Sequence, residues 1–209
     1  ARSIANAVST PVLADADTGF GNALNVRRTA RELIQHTSVA GAFIEDQVAP
    51  KRCGHIAGKR IVSEEEGAKK VRAMADVRDE IDPEFVVMAR TDARGAIGGG
   101  LELAIERANA YYDAGADAIF VEGLVDESEV ERVGEAVDAP LMYNQIGVSP
   151  YIDEEDLDEY GWDISGILAS IFPTAVHVYD HLERLREEGV SAEAAFQEEI
   201  ADHPAADMH

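Results

Sequence analysis

Six short apolar runs, each followed by a helical pattern, constrain this chain more than any other feature. The runs are PVLADA (11–16), AGAFIED (40–46), FVVMART (85–91), ADAIFVE (116–122), PLMYN (140–144) and ISGILAS (164–170). Helical patterns lie near 23–36, 63–80, 101–114, 126–136, 153–160 and 173–189. Regular alternation of this kind specifies parallel strands joined by crossover helices. Local signals agree: SEEE (63–66) offers an N-cap serine with Glu66 at the capping-box position, and AGAD (114–117) supplies a glycine to close a helix. Polar residues fall at the strand C-termini: Asp15 and Asp17, Glu45, Arg90, Glu122 and Asn144. A (β/α)8 barrel carries its site at that edge, whereas a doubly wound sheet gathers ligands at one switch point. Five functional strand ends therefore predict the α/β class and a TIM-type barrel. Only six of the eight units are visible, and ARSIANAVS (1–9) reads as the tail of a helix. The sequence given is thus expected to lack the first two βα units. Residues 1–190 are assigned to the barrel and 191–209 to the start of a C-terminal helical extension.

Charge limits the partners. The 209 residues carry a formal charge of −23, with 41 acids dispersed along the chain. Such a balance argues against nucleic acid or an anionic membrane as partner. Only 4 of the 18 basic residues are lysine, and the whole resembles a halophilic protein surface, with an ordinary acidic enzyme as the alternative. No run is long enough for a transmembrane helix, and no basic-then-apolar leader is visible. The single cysteine fits a reducing cytoplasm.

Asp15 and Asp17 are two apart, which on a strand aims both carboxylates at one point. Two acids so placed call for a cation, and hard oxygen ligands suit Mg²⁺ or Mn²⁺. The same residues also fit an Asp-rich turn made by Gly19 and Gly21, and the spacing leaves both readings open. An EF-hand does not fit, because its twelfth position is Val26. Glu45 suits a partner of metal-bound water or a solvated strand-end acid. Arg90 suits a substrate carboxylate or an ion pair within the barrel. GAIGGG (95–100) is a flexible loop without the GK[ST] of a phosphate cradle. KRCGH (51–55) places Lys51, Arg52 and His55 around Cys53, company that favours a thiolate, and the stretch 46–62 is long enough to form a lid. A small buried hydrophobe is the alternative for the cysteine.

Taken together, DADTGFGN, IEDQ, PKRCGH, GKRIVS and ARTDA resemble the isocitrate lyase/phosphoenolpyruvate mutase superfamily, and within it the pattern of the 2-methylisocitrate lyases. The resemblance runs from about residue 6 to 190. It implies a (β/α)8 barrel, a Mg²⁺ or Mn²⁺ ion, and a homotetramer with an exchanged C-terminal helix. It also implies metal binding by Asp15, Asp17 and Glu45, a catalytic Cys53 supported by His55, substrate contact at Gly54, a substrate grip by Arg90 and Glu122, and carboxylate binding by Asn144. The implied reaction cleaves a 2-hydroxy di- or tricarboxylate to a 2-oxo acid and a carboxylate. QIGVSP (145–150) is shorter than the stretch expected there, with Ser149 as a partial substitute. FPTAVHVYD (172–180) lacks an expected arginine but offers His177. Both departures bear on substrate identity. Oxaloacetate hydrolysis or decarboxylation, phosphonate chemistry on the same barrel, and a non-catalytic barrel subunit are the alternatives; Cys53 speaks against the phosphonate branch.

Overall fold

Each apolar run of the sequence becomes a strand of one parallel sheet. The computed structural model describes residues 1–168 and 170–203, so the end of the sixth run (Ala169) and residues 204–209 of the expected extension lie outside the described residues. The strands are β1 (Leu13–Asp15), β2 (Gly41–Glu45), β3 (Val86–Thr91), β4 (Ala118–Val121), β5 (Leu141–Gln145) and β6 (Ile164–Ile167). The helices in chain order are α1 (Arg2–Ala5), α2 (Ala23–His36), α3 (Glu64–Ile81), α4 (Leu101–Asp113), α5 (Glu127–Ala136), α6 (Glu154–Glu159), α7 (Ile171–Glu188) and α8 (Val190–Glu199). Strand order is β1-β2-β3-β4-β5-β6, every pair parallel. The order never reverses, as a doubly wound sheet requires. It is the six-stranded part of a TIM-type barrel.

Period-two alternation divides the sheet into two faces. One face, with Ala42, Ile44, Val87, Ile119, Val121 and Leu141, joins the main core and packs beneath the crossover helices. The small residues at Ala14, Ala42 and Ala89 let those helices approach closely. The opposite face carries a separate apolar cluster of Met88, Ala118 and Phe120, flanked by Phe43 and Met142. The strands continue from this cluster into Glu45, Arg90, Glu122 and Asn144. Apolar residues thus form a floor, and the next residue outward on the same face is polar.

The helix starts follow the sequence signals. Ser63 Oγ accepts from the Glu66 amide at 3.2 Å, and Asp126 caps α5 through the Glu129 amide at 3.0 Å. Gly115, at φ +105°, closes α4 in a conformation that costs a side-chain-bearing residue energy. The described residues fall into two compact units, the first Ala1–Ile167 and the second beginning at Leu168. In the second unit α7 and α8 meet at Gly189, with φ +67°, and pair through His181 and Glu193 at 3.2 Å. Among the described residues no helix is long and apolar enough to cross a membrane.

A buried polar joint ties β2, β3 and α4 together. Asp46, the residue after β2, is 2% exposed, and its carboxylate accepts four hydrogen bonds. Thr91 Oγ1 donates at 2.8 Å, the Asp92 amide at 2.9 Å, Arg107 Nη1 at 3.0 Å and Tyr111 Oη at 2.9 Å. Burial raises the pKa of Asp46 against the pull of those donors. Burial, with the nearby Asp46 charge, holds the Tyr111 hydroxyl protonated. Removing the acceptor strands a buried guanidinium. Asp46→Ala is expected to lower unfolding free energy by about 3–5 kcal/mol. Urea denaturation checks this, and Asp46→Ala/Arg107→Leu is expected to recover part of the loss.

Candidate active site

The polar strand ends converge on Arg90. Its side chain, 8% exposed, lies on the apolar floor with the guanidinium carbon 5.0 Å from the centre of the Phe120 ring. Arg90 Nε and Nη2 each donate to Asp92 at 3.0 Å, a two-pronged grip that fixes the guanidinium plane. Glu122 approaches Nη2 at 3.3 Å, and Glu45 approaches Nε at 3.6 Å. Burial works against the charged guanidinium, but these three carboxylates more than offset it and raise its pKa. Asn144 donates to Glu122 at the long distance of 3.5 Å. Arg90, Glu45, Glu122 and Asn144 thus form one cluster, as their strand positions predict.

The two aspartates come together by a different route from simple strand alternation. The strand ends at Asp15, and Asp17 lies in the left-handed region at φ +49°. Its amide turns back to donate to Asp15 Oδ1 at 2.8 Å, and its carbonyl accepts from the Glu45 amide at 2.8 Å. An Asp-rich turn thus forms here, and it sets the Asp17 backbone against the Asp15 carboxylate. A non-glycine residue in this conformation is a strained feature of the kind that gathers at functional sites.

Lys51 reaches into this group of acids. Its ammonium lies 2.6 Å from Asp17 Oδ1 and 3.6 Å from Glu45 Oε2. Burial disfavours that charge, yet the bond to Asp17 and the fields of Glu45 and Asp15 raise the lysine pKa. Among the described residues, no three His, Cys, Asp or Glu side chains converge tightly enough to hold a metal as they stand. The donor set nevertheless suits a divalent cation. Both Glu45 oxygens are buried without a hydrogen-bond partner, and burial pushes the Glu45 pKa up to about 7 despite Arg90 and Lys51. A buried carboxylate with orphaned oxygens beside two further carboxylates is what a hard cation, or water held by one, satisfies.

The stretch 46–62 forms a flap over this site. Its stem is pinned by a Gln47–Ile61 bridge and by bonds from the Val48 amide to the Arg60 carbonyl and the Val62 amide to the Asp46 carbonyl. Gln47 also holds both backbone groups of Arg52, donating to its carbonyl at 2.9 Å and accepting from its amide at 3.0 Å. At the tip, Gly54 sits directly on the charged cluster. A Cβ there would lie 2.4 Å from Arg90 Nη2 and 2.5 Å from Glu122 Cγ. His55 Nε2 faces Glu122 Oε1 at 3.3 Å, while Nδ1 accepts from the Val148 amide at 3.4 Å. Acceptance at Nδ1 leaves the proton of the neutral imidazole on Nε2. Cys53 is exposed at the same tip and unbonded to another thiol. The basic company of Cys53 is arranged otherwise than the sequence predicts, because Lys51 and His55 turn to carboxylates, while the Arg52 guanidinium lies alongside Gly58.

Four participants escape the sequence reading. Asp92 lies within the noted ARTDA motif, but its grip on Arg90 needs the residue after β3 to fold back. Lys59 lies within GKRIVS, where it looks like a solvated loop residue, yet it is 3% exposed. Asp46 and Arg107 are 61 residues apart. A buried acid invites a search for its cation, but no local spacing points to α4.

The profile of the phosphoenolpyruvate phosphomutase family matches residues 1–179. The 2,3-dimethylmalate lyase of Eubacterium barkeri is 44% identical over 84% of this chain and 58% of its own length. The 2-methylisocitrate lyase of Halalkalibacterium halodurans is 40% identical over 95% of this chain and 64% of its own length. A structure of oxaloacetate acetylhydrolase with the inhibitor 3,3-difluorooxalacetate superposes with a TM-score of 0.82 at 35% identity, covering 89% of this chain and 63% of that one. The chain thus spans about six tenths of the length of these relatives.

The Glu45 carboxyl gives the site a pH signature. Its pKa rises from 4.5 to about 7 on folding, so between those values the folded state binds more protons than the unfolded one. Stability of the metal-free protein is therefore expected to fall as pH rises through that window, by on the order of 3 kcal/mol at most. Urea titrations in chelator from about pH 4 to pH 8 read the slope. Glu45→Gln is expected to reduce it and to weaken divalent-cation binding.

Proposed function

The chain belongs to the phosphoenolpyruvate phosphomutase family, and from that premise we propose that it serves a carbon–carbon lyase acting on a 2-hydroxy di- or tricarboxylate. The products are a 2-oxo acid and a simple carboxylate, as in 2-methylisocitrate or isocitrate cleavage. One observation carries the reading: the tip bearing Cys53 is seated against the Arg90–Glu122 pair, with no room for even a methyl group at Gly54. The flap tip that carries the thiol thus rests, at Gly54, on a guanidinium of the kind that binds a carboxylate, which supports the reading.

In this reading Arg90 and Glu122 grip the substrate at the carbon that is cleaved, and Asn144 binds the carboxylate of the departing acid. The hydroxyl proton leaves to a base and the O–H electron pair forms the new C=O. The C–C pair passes to the other fragment, which becomes an enolate-like carboxylate stabilised by preorganised donors. Cys53 then delivers its thiol proton to that carbon. His55, held between Glu122 and the Val148 amide, fixes the tip while this occurs. Asp15, Asp17 and Glu45 would hold Mg²⁺ or Mn²⁺, directly or through water. Such an ion would supply Lewis-acid charge to an oxygen of the substrate.

Oxaloacetate hydrolysis is the second reading, favoured by the likeness to oxaloacetate acetylhydrolase. A panel of 2-hydroxy and 2-oxo acids with Mg²⁺ separates the two: release of pyruvate or glyoxylate supports the lyase, and loss of oxaloacetate to oxalate supports the hydrolase. Cys53→Ser is expected to cut lyase turnover at least about 10³-fold, within the range for losing a general acid, and to leave metal affinity unchanged. Full activity in that variant would remove the role assigned to the thiol.

The formal net charge of −23 supports a cytoplasm rich in salt as the setting. We also propose a homotetramer with an exchanged C-terminal helix, and the exposed apolar residues of α7, which leads toward that extension, support it. No α7 residue is buried, and Ile171, Phe172, Val176, Tyr179 and Leu182 are all more than half exposed. Sedimentation equilibrium is expected to give four chains per particle, and charged residues at Phe172 and Tyr179 are expected to reduce it to smaller species.

A further inference from the structure

We propose that Lys59 is a positioning residue that latches the flap to the clamp on Arg90, so that seating of the Cys53 tip and orientation of the guanidinium are one event. The inference rests on the lyase reading for its catalytic consequence, but the latch itself stands on geometry alone.

The ammonium of Lys59 lies in a place made for it. The side chain is 3% exposed, a rare state for a lysine unless it is paired. Nζ donates to the carbonyl of Gly54 at the flap tip, and it lies 3.6 Å from Asp92 Oδ1. The same Asp92 oxygen accepts from Arg90 Nη2 at 3.0 Å. The space around the ammonium is cleared of side chains. A Cβ on Gly95 would fall 2.9 Å from Nζ, and one on Gly123, which has φ +81°, would fall 3.7 Å from the Gly54 carbonyl and 4.0 Å from Nζ. The Lys59 carbonyl accepts from the Ile97 amide at 2.9 Å, which ties the returning arm of the flap to the loop after β3.

These contacts close a ring. It runs from the Gly54 carbonyl through Lys59, Asp92, Arg90 and Glu122 to His55, which is the residue after Gly54. Arg90 sits at the centre with a carboxylate on each side, and each carboxylate reaches the flap through one cation or imidazole. Displacing the tip therefore breaks the Lys59 bond to the Gly54 carbonyl and the approach of His55 to Glu122, the two links by which the flap bears on the clamp around Arg90. A compact ammonium with three protons serves both a carbonyl and a carboxylate; an arginine fork would not fit beside Gly95.

The test compares wild type with Lys59→Met, which keeps the stem and loses the charge. Hydrogen exchange, read without substrate, is expected to quicken about tenfold or more for the Ile56 amide and its neighbours in the tip, the scale of one lost charged hydrogen bond. Strands β2 to β4 are expected to keep their protection. With the acid that wild type cleaves, kcat is expected to fall on the order of 10²-fold while KM changes little, because a misplaced proton donor harms the chemical step more than binding. Unchanged exchange in the tip overturns the latch. Faster exchange with unchanged kcat overturns its coupling to catalysis. If wild type cleaves no acid of the panel, the lyase reading fails while the exchange arm still judges the latch. If the Met variant does not fold, Lys59→Gln, which retains a donor for Gly54 without a charge for Asp92, is read in the same way.

Discussion

A buried guanidinium needs negative charge on more than one side, and the arrangement of this molecule's polar edge follows from satisfying Arg90. Asp92 fixes its plane, Glu122 neutralises its outer edge and Glu45 lies beyond. Isolated, such a charge would cost far more to bury than the sheet's packing returns. With three carboxylates around it the cost is offset, and two of those carboxylates gain further partners from neighbouring elements. Asp92 is set by its own amide bonding to Asp46, which in turn is held by Arg107 from α4. Glu122 takes His55 from the flap. The site is thus an extension of the interior, continuous with the joint that holds β2, β3 and α4 together.

The flap follows the same logic in reverse. A cation-bearing loop in a strongly acidic chain has many possible partners, and this one finds its partners at the strand ends. Lys51 goes to Asp17 and Glu45, Lys59 to Asp92 and His55 to Glu122. The stem bridge and the two bonds of Gln47 restrict the loop to few conformations, so the cations arrive together. The shared geometry explains why one segment of the chain supplies both the thiol and the residues that hold it.

Much of the architecture is legible in the sequence because its signals are local. The strand runs, the Ser63 cap and the closing Gly115 depend on residues within a few positions of one another, and each element appears within about two or three residues of its expected place. The strand-end acids and Arg90 are legible too, because period two sets the face and the barrel sets the edge. The rest depends on long-range pairing. Arg107 meets Asp46 across 61 residues, and His55 meets the Val148 amide across 93. Lys59 looks like any loop lysine until Gly95 and Gly123 clear room around it. Asp15 and Asp17 are linked by a backbone bond, the Asp17 amide on the Asp15 carboxylate, through a left-handed residue that alternation along a strand does not anticipate.

The depth of these ion pairs gives the molecule two electrostatic regimes. At the surface, pairs such as Arg27 with Asp76 are one third to one half exposed, and near 1 M salt, where the screening length is about 3 Å, little of their attraction survives. The interior pairs of Arg90 with Asp92 and Arg107 with Asp46 have side chains no more than 9% exposed, so dissolved ions do not come between them. Ionic strength can therefore retune how the exterior repels, hydrates and associates while the alignment of charges within the barrel stays as it is.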